Sequence, residues 1–422
     1  MNLDIINGTV VDPATGPAGI RPVYIRDGKI TLATDKPADR VIDAAGLYVL
    51  PGMIDAHCHL RDPGLVYKED IATGTASAAK GGFTAVACMA NTQPVCDNAA
   101  VVGYIRNKAE RVGKTRVHPI GAVSKNLEGR ELAEIGLMAQ EGIVALSDDG
   151  KPVVSADFMR KAMQYASDFG LVIISHCEDP SLMDGAMNEG EWSTLMGLRG
   201  IPAAAEEIQV AREAILAESL GLRVHIAHVS TRGSVRIVRE AKARGVKITC
   251  ETCPHYFTLT EEACKGYNTL AKVNPPLRTE DDRQAILEGI RDGTIDMIVT
   301  DHAPHHEDEK QVEFALAANG FIGFESAFPL MNQHLLQAGV VTLDQLVELT
   351  SVNPAKLFGL ESGTLQEGAV ADVLIADLDD EWVFDRFATA SKAKNAPYHG
   401  MTMRGRARWT IVGGDIVHEI IR

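Results

Sequence analysis

The 422-residue sequence has no run of about 18 apolar residues, the length a helix needs to cross a bilayer, so no segment is expected to span a membrane. The opening Met1-Asn2-Leu3-Asp4 lacks the basic and apolar regions of a secretion signal. Basic residues are the scarcer charge, 41 Lys and Arg against 57 Asp and Glu, which gives a formal net charge of -16. A surplus of that sign argues against nucleic-acid or anionic-membrane partners. Low-complexity tracts and fixed repeats are lacking. With 45% hydrophobic and 23% charged residues, disordered and fibrous classes drop out. Cysteine is sparse, seven residues at scattered spacings, and an odd number reads as reduced thiols in a cytoplasmic protein. Cys250-x-x-Cys253 has no second pair beside it, so buried thiols are expected there rather than a zinc knuckle.

What the chain does have is a change of style along its length. The first fifty residues are short β-like runs cut by turn signals at Asn7-Gly8, Asp27-Gly28 and Ala45-Gly46. Asn-Gly and Asp-Gly are hairpin signals. Runs at Ala371 to Ala376 and Ala407 to Val412, followed by Gly413-Gly414, repeat the pattern at the other end. One small β domain built from both termini, residues 1–50 with 361–422, is expected. The middle, 51–360, alternates β-branched apolar runs with helical segments such as Ala203 to Ser219 and Ser230 to Arg244. Eight runs read as strands: Val49 to Asp55, Thr84 to Met89, Val117 to Val123, Ile143 to Leu146, Leu171 to Ile174, Val224 to Ala227, Val246 to Cys250 and Met297 to Thr300. Eight βα units over this length match a (β/α)8 TIM barrel, with a doubly wound sheet as runner-up. No glycine-rich phosphate fingerprint follows the first strand, which favours the barrel.

A barrel puts its chemistry at the C-terminal ends of its strands. Those ends carry His57 and His59, Asp148-Asp149, His176, His228 and Asp301. Two residues apart on an extended strand, His57 and His59 face the same way and suit one metal ion. Imidazoles with carboxylates in this number favour zinc, as two ions sharing a bridging ligand. Cys58 between them should face the core, and His225 reads as core-side. His118, His334, His399 and His418 follow no ligand pattern. Glu307-Asp308-Glu309 reads as a solvated loop in a segment that could form a lid.

These residues also carry a resemblance. Asp55-Ala56-His57-Cys58-His59-Leu60-Arg61-Asp62-Pro63-Gly64 resembles the first signature of cyclic amidohydrolases in its dihydroorotase form, and Thr300-Asp301-His302-Ala303-Pro304-His305 resembles the second. Met89 to Pro94, His225 to Ser230 and Val273 to Arg278 are similar to further dihydroorotase segments, so the likeness spans essentially the whole chain. Ala90 and Cys58 depart from the family pattern, and neither departure removes a ligand. Many amidohydrolases bridge their metals with a carboxylated lysine after strand four. Here Asp148-Asp149-Gly150 stands there, similar to the long-chain bacterial dihydroorotases in which an aspartate bridges. The resemblance implies Asp149 as the bridge, with Asp148 as the alternative, and Lys151 pointing away.

The resemblance further implies a metal-dependent amidohydrolase barrel with a small β-sandwich domain, and reversible cyclisation of N-carbamoyl-L-aspartate to L-dihydroorotate in pyrimidine synthesis. One zinc ion would be held by His57, His59 and Asp301, the other by His176 and His228, with Asp149 between them. Asp301 would shuttle the proton between the attacking water and the ring nitrogen. Arg61 and Asn91 would take the substrate carboxylate, and Asn274 with the backbone of Asn319-Gly320 would meet the pyrimidine ring; His59 and His305, one short turn beyond Asp301, also line this site. The alternative for Arg61 is a structural salt bridge to Asp62 or Glu69. A homodimer is expected, with a complex with aspartate transcarbamoylase left open. Hydantoinase, dihydropyrimidinase or allantoinase activity is the nearest rival, and an inactive scaffold for the transcarbamoylase is the second.

Overall fold

Short apolar runs at the start of the chain form seven strands: β1 (Leu3–Ile6), β2 (Thr9–Asp12), β3 (Gly16–Ile20), β4 (Val23–Arg26), β5 (Lys29–Thr31), β6 (Arg40–Asp43) and β7 (Tyr48–Pro51). The computed structural model describes residues 1–32 and 36–420. Asp27 and Gly28 adopt φ of 50° and 76°, the left-handed pair a two-residue hairpin demands, and β4 and β5 pair antiparallel across them. Asn7-Gly8 does not make a hairpin, which corrects the expectation, and Ala45-Gly46 is a turn, as expected. β1 pairs with β4 and β6 in a four-stranded sheet ordered β5-β4-β1-β6, while β2 and β7 pair in parallel in a second sheet. Each turn carries the chain between sheets, because Leu3 and Ile5 on one sheet and Val10 and Val49 on the other share a single apolar core. Burial across the sandwich outweighs the local turn preference.

The barrel follows as β8 (Met53–Cys58), β9 (Phe83–Cys88), β10 (Arg116–Gly121), β11 (Ala145–Leu146) and β12 (Ile173–Ser175). A two-stranded ribbon, β13 (Met187–Asn188) and β14 (Gly200–Ile201), interrupts before β15 (Val224–Ile226), β16 (Ile248–Thr252) and β17 (Met297–Ile298). The eight barrel strands pair in parallel in chain order from β8 to β17, so the (β/α)8 reading is borne out. Every residue of β8 and β9 is buried, as expected of parallel strands covered by helices. Side-chain caps start several of those helices: Asp70 accepts from Thr73 N at the helix Ile71–Gly81, and Thr231 accepts from Ser234 N at Arg232–Ala243. The first expected strand, Val49 to Asp55, is in fact two. At Gly52 the chain leaves the sandwich for the barrel, and a Cβ there would stand 2.2 Å from Thr84 Cγ2, so only glycine fits.

The chain ends on β18 (Val373–Val383), β19 (Thr402–Val412) and β20 (Asp415–Glu419), which join the N-terminal strands in the order β20-β19-β18-β7-β2-β3. Val373, Ile375 and Ile411 thereby enter the core of the N-terminal strands, so both termini build the β sandwich. Among the described residues no helix is long and apolar enough to cross a membrane.

β17 and β8 meet at the barrel seam without a regular ladder. His59 N donates to His302 O at 2.9 Å and Asp301 N to His57 O at 3.0 Å. Below them the buried Asp55 carboxylate accepts from Thr300 N at 2.9 Å and Thr300 Oγ1 at 2.5 Å. Burial raises the Asp55 carboxyl to about 7, with the Thr300 donors opposing the shift. Replacing Asp55 by Ala strands both donors in the interior. It is expected to destabilise the fold by about 3 kcal/mol, read from the midpoint of urea unfolding.

Candidate metal centre

Parallel strands of one barrel end on one rim, so residues far apart in sequence converge there. His57 lies at the end of β8 and His59 just beyond it, while Asp149, His176, His228 and Asp301 follow β11, β12, β15 and β17. Arg61, His228 and Asp301 take positive φ of 58°, 31° and 45°. Non-glycine residues in that region cost about 1–3 kcal/mol each and persist where surrounding structure enforces them. Three such residues at one rim mark it as a place where position outweighs comfort.

Asp149 is the hub. Its Oδ1 stands 3.4 Å from His57 Nε2, 3.3 Å from His176 Nδ1 and 3.4 Å from His228 Nε2, and its Oδ2 is 3.5 Å from His59 Nε2. Two groups of potential ligands therefore share it, His57-His59-Asp149 and Asp149-His176-His228, all buried. Asp301 Oδ1 approaches the first group, 3.0 Å from His59 Nε2 and 3.7 Å from His57 Nε2. Atoms bound about 2.0–2.1 Å from one tetrahedral ion lie roughly 3.3–3.4 Å apart, the spacing around Asp149 Oδ1. His57 Nε2 and Asp149 Oδ1 are also buried polar atoms without a hydrogen-bond partner, a condition that calls for another ligand. These residues fit a divalent cation.

The electrostatics agree. Burial alone would lower the His57 and His176 imidazoles, yet the carboxylates around them prevail. Asp149 and Glu251 hold His57 well above its ordinary value, and Asp149 with Glu178 raises His176 to about 10. In return the His57, His176 and His228 rings overcome burial and hold Asp149 well below the carboxylate range. Asp301 is lowered likewise, against burial, by His59 and His57. Asp148 is turned elsewhere: its Oδ1 accepts from Val123 N at 2.8 Å and Ser124 N at 3.0 Å, and its Oδ2 meets Ser124 Oγ. Of the two adjacent aspartates, only Asp149 reaches the imidazoles.

Behind the cluster lie partners that sequence reasoning missed. His57 Nδ1 meets Glu251 Oε1 at 2.6 Å, and His176 Nε2 meets Glu178 Oε2 at 2.9 Å. Both carboxylates are fully buried. Burial would raise Glu251, but His57 and His225 bring it down to about 2. Its signal was present, a lone acid in the buried strand Ile248–Thr252, overshadowed by the flanking cysteines. Those thiols are free and buried, as expected, and so is Cys58. His225 is buried too, but it binds Glu251 instead of merely filling core.

The residues expected to touch substrate are placed less uniformly. Arg61 is buried and forms no ion pair with a carboxylate among the described residues; its Nε donates to Pro304 O at 3.2 Å. Asp62 pairs with Lys108 and Glu69 with His302, so neither holds Arg61 as a salt bridge. Asn91 Oδ1 accepts from His59 Nδ1 at 2.9 Å, so this side chain orients a histidine of the cluster. His305 Nε2 lies 2.8 Å from Asn319 O and 3.4 Å from the Arg61 guanidinium. Asn274 donates its amide to Glu178, and Gly320 N already donates to Lys272 O. Beyond His305 opens a cavity of 610 Å³ lined by Lys68, Lys310, Lys392 and Asn395 among others. Its edge corrects one expectation: Glu307–Lys310 forms a turn of helix instead of a loop, tied down by Lys68 to Glu309 at 2.7 Å.

Comparison with known proteins agrees with this architecture. A family profile described as dihydro-orotase-like matches residues 46–234. A dihydroorotase of Acetivibrio thermocellus is 58% identical over 417 residues, 98% of each chain. One from Ruminiclostridium cellulolyticum is 55% identical, over 99% of this chain and 98% of the relative. Among solved structures, L-hydantoinase (dihydropyrimidinase) from Arthrobacter aurescens superposes with a TM-score of 0.90 at 28% identity, over 99% of this chain and 96% of its own. Dihydropyrimidinase from Brevibacillus agri, with a TM-score of 0.86 at 23% identity over 99% and 95%, shares the fold.

Imidazoles that carry protons must release them to bind a cation. Because His57 and His176 are raised, loading at pH 7 is expected to liberate protons, and cation affinity should fall as pH drops. Calorimetric titration with zinc in buffers of different ionisation enthalpy checks this. A buffer-independent heat would contradict it.

Proposed function

The chain belongs to the dihydroorotase family, and from that membership we propose that it catalyses the reversible cyclisation of N-carbamoyl-L-aspartate to L-dihydroorotate, a step of pyrimidine synthesis. The observation that carries the choice of substrate is Arg61, a buried guanidinium without a carboxylate partner beside the Asp149 cluster. Its planar fork suits the carboxylate that both partners of this reaction bear. Two zinc ions fit the centre, one with His57, His59 and Asp301, the other with His176 and His228, and Asp149 shared between them. In this reading residues 51–360 carry the chemistry and residues 1–50 with 361–422 form the accompanying β unit. The enzyme works in the cytoplasm as a homodimer, with aspartate transcarbamoylase as a candidate partner.

Cations held there would lower the pKa of water toward neutrality and polarise an amide carbonyl. The chain's own residues do the rest. Arg61 orients the substrate carboxylate with His305 beside it; burial together with the Arg61 charge keeps His305 neutral, and its Nε2–H is donated to Asn319 O. Asn91 keeps His59 in the tautomer whose Nε2 faces Asp301. The lowered Asp301 carboxyl is an ionised base at neutral pH. In the hydrolytic direction its carboxylate takes the proton of the attacking water and delivers it to the departing ring nitrogen. In cyclisation it takes the proton from the carbamoyl nitrogen as that nitrogen bonds to the side-chain carboxyl carbon, and returns it to the carboxyl oxygen whose C–O bond breaks, which departs as water.

The second reading, a hydantoinase or dihydropyrimidinase, is favoured by the 0.90 superposition on the Arthrobacter enzyme. Its weakness is the relatives of much higher identity that share the other name, together with Arg61. An inactive scaffold is disfavoured by the complete ligand set.

Asp301→Asn is expected to lower kcat for dihydroorotate hydrolysis by about 10²–10⁴-fold. Arg61→Met should instead raise KM by about 10–100-fold, the loss of a charge-assisted pair. Steady-state assay in both directions measures both, and wild-type turnover in Asp301→Asn removes it as the base. Dihydrouracil or allantoin turned over as fast as dihydroorotate would favour the second reading.

A further inference from the structure

Deep to the centre, β16 sends Thr249 and Glu251 to the same side of the strand, two residues apart. Glu251 Oε1 accepts from His57 Nδ1 at 2.6 Å and Oε2 accepts from His225 Nε2 at 3.0 Å. His225 Nδ1 lies 2.8 Å from Thr249 Oγ1. The donor sense of this chain is fixed by chemistry: an ionised carboxylate only accepts, so both imidazole nitrogens facing Glu251 carry hydrogen. In its neutral form, the one that can bind a cation, His57 thereby keeps its proton on Nδ1 and turns a bare Nε2 toward Asp149, and a neutral His225 has a Nδ1 lone pair for the threonine hydroxyl. Glu251, His57 and His225 are all fully buried, so water cannot substitute for either bond to Glu251, whereas Thr249 is half-buried.

We propose that Glu251, itself held by His225, is the positioning residue that locks the tautomer and orientation of His57 and so sets how tightly this half of the centre holds its cation. No other side chain does this for His57: its Nδ1 has Glu251 alone within hydrogen-bond reach among the described residues. The partner of His59 is a neutral amide, Asn91, so Glu251 is also the only ionised group bonded to the far side of a ring in the His57-His59 pair. A carboxylate behind an imidazole raises its basicity, and removing such partners costs about 10–100-fold in metal affinity. The inference rests on the metal-centre reading given above.

The test is cation retention, which a purely structural role would leave unchanged in a folded protein. Wild type and Glu251→Gln are loaded with cobalt(II), dialysed against graded chelator and counted by elemental analysis, with the cobalt visible spectrum and circular dichroism recorded. A Gln amide can accept from His57 but then presents N–H to His225 N–H. The variant is expected to lose an ion at about 10–100-fold lower chelator and to show an altered cobalt spectrum. A folded Glu251→Gln with wild-type retention and spectrum overturns the proposal and leaves the metal centre standing. Wild-type protein that takes up no cation overturns both. His225→Gln and His225→Leu keep the inference testable if Glu251→Gln fails to fold. Gln preserves an N–H near the position of Nε2 and should retain the ion, whereas Leu should weaken it. Equal behaviour of the two overturns the proposal.

Discussion

The structure turns on one buried carboxylate. Asp149 lies within 3.5 Å of four imidazole nitrogens in a part of the barrel where water is scarce. An isolated charge in such a place is prohibitively costly, so the anion requires cationic company and the imidazoles require something to hold them. Three strands, β8, β12 and β15, supply the four rings, and each strand must end close to the right place. The barrel's fully buried strands, its seam at Asp55 and the strained backbone at His228 and Asp301 serve that convergence.

The orientation of the rings depends on the layer behind them. A histidine offers two nitrogens, and which one faces the centre is decided by what the other meets. Glu251 turns His57 so that Nε2 faces inward, Asn91 does the same for His59, and Glu178 turns His176 the opposite way, presenting Nδ1. Equivalent ligands in sequence are thus inequivalent in geometry. Their distances to Asp149 nonetheless agree within a narrow range, because the backing groups compensate for different strand ends.

Much of this was legible in the sequence, for a definite reason. In a parallel barrel the direction of each strand is fixed, so a polar residue at the end of an apolar run is on the rim wherever its neighbours lie. Strand position left Asp148 and Asp149 as alternatives, of which the family resemblance chose Asp149, whereas His57, His59, His176, His228 and Asp301 were found in that way. Glu251 and Glu178 were not, since their roles depend on which strand lies next to which side chain across nearly two hundred residues or within a bend. Asn274 and Gly320 were expected to meet substrate; within the protein Asn274 donates to Glu178 and Gly320 N donates to Lys272 O, contacts that depend on the tertiary fold. Turn signals failed similarly: Asn7-Gly8 has a hairpin's composition, but the shared core of Leu3, Ile5 and Val10 puts its flanking strands in different sheets.

Charge balance links the acidic sequence to an anionic substrate. The net charge of -16 belongs mainly to the surface, whereas the site is a closed account of its own. Asp149, Asp301, Glu251 and Glu178 are buried carboxylates, and the two divalent cations of the proposed reading, with neutral imidazoles, would cancel them. The Arg61 guanidinium then remains as the uncompensated charge, desolvated and without a protein carboxylate to meet it. A buried cation of that kind is expensive until an anion arrives. In the proposed reading the substrate carboxylate is that anion, and a surface repelling anions in general can still surround a site that accepts one.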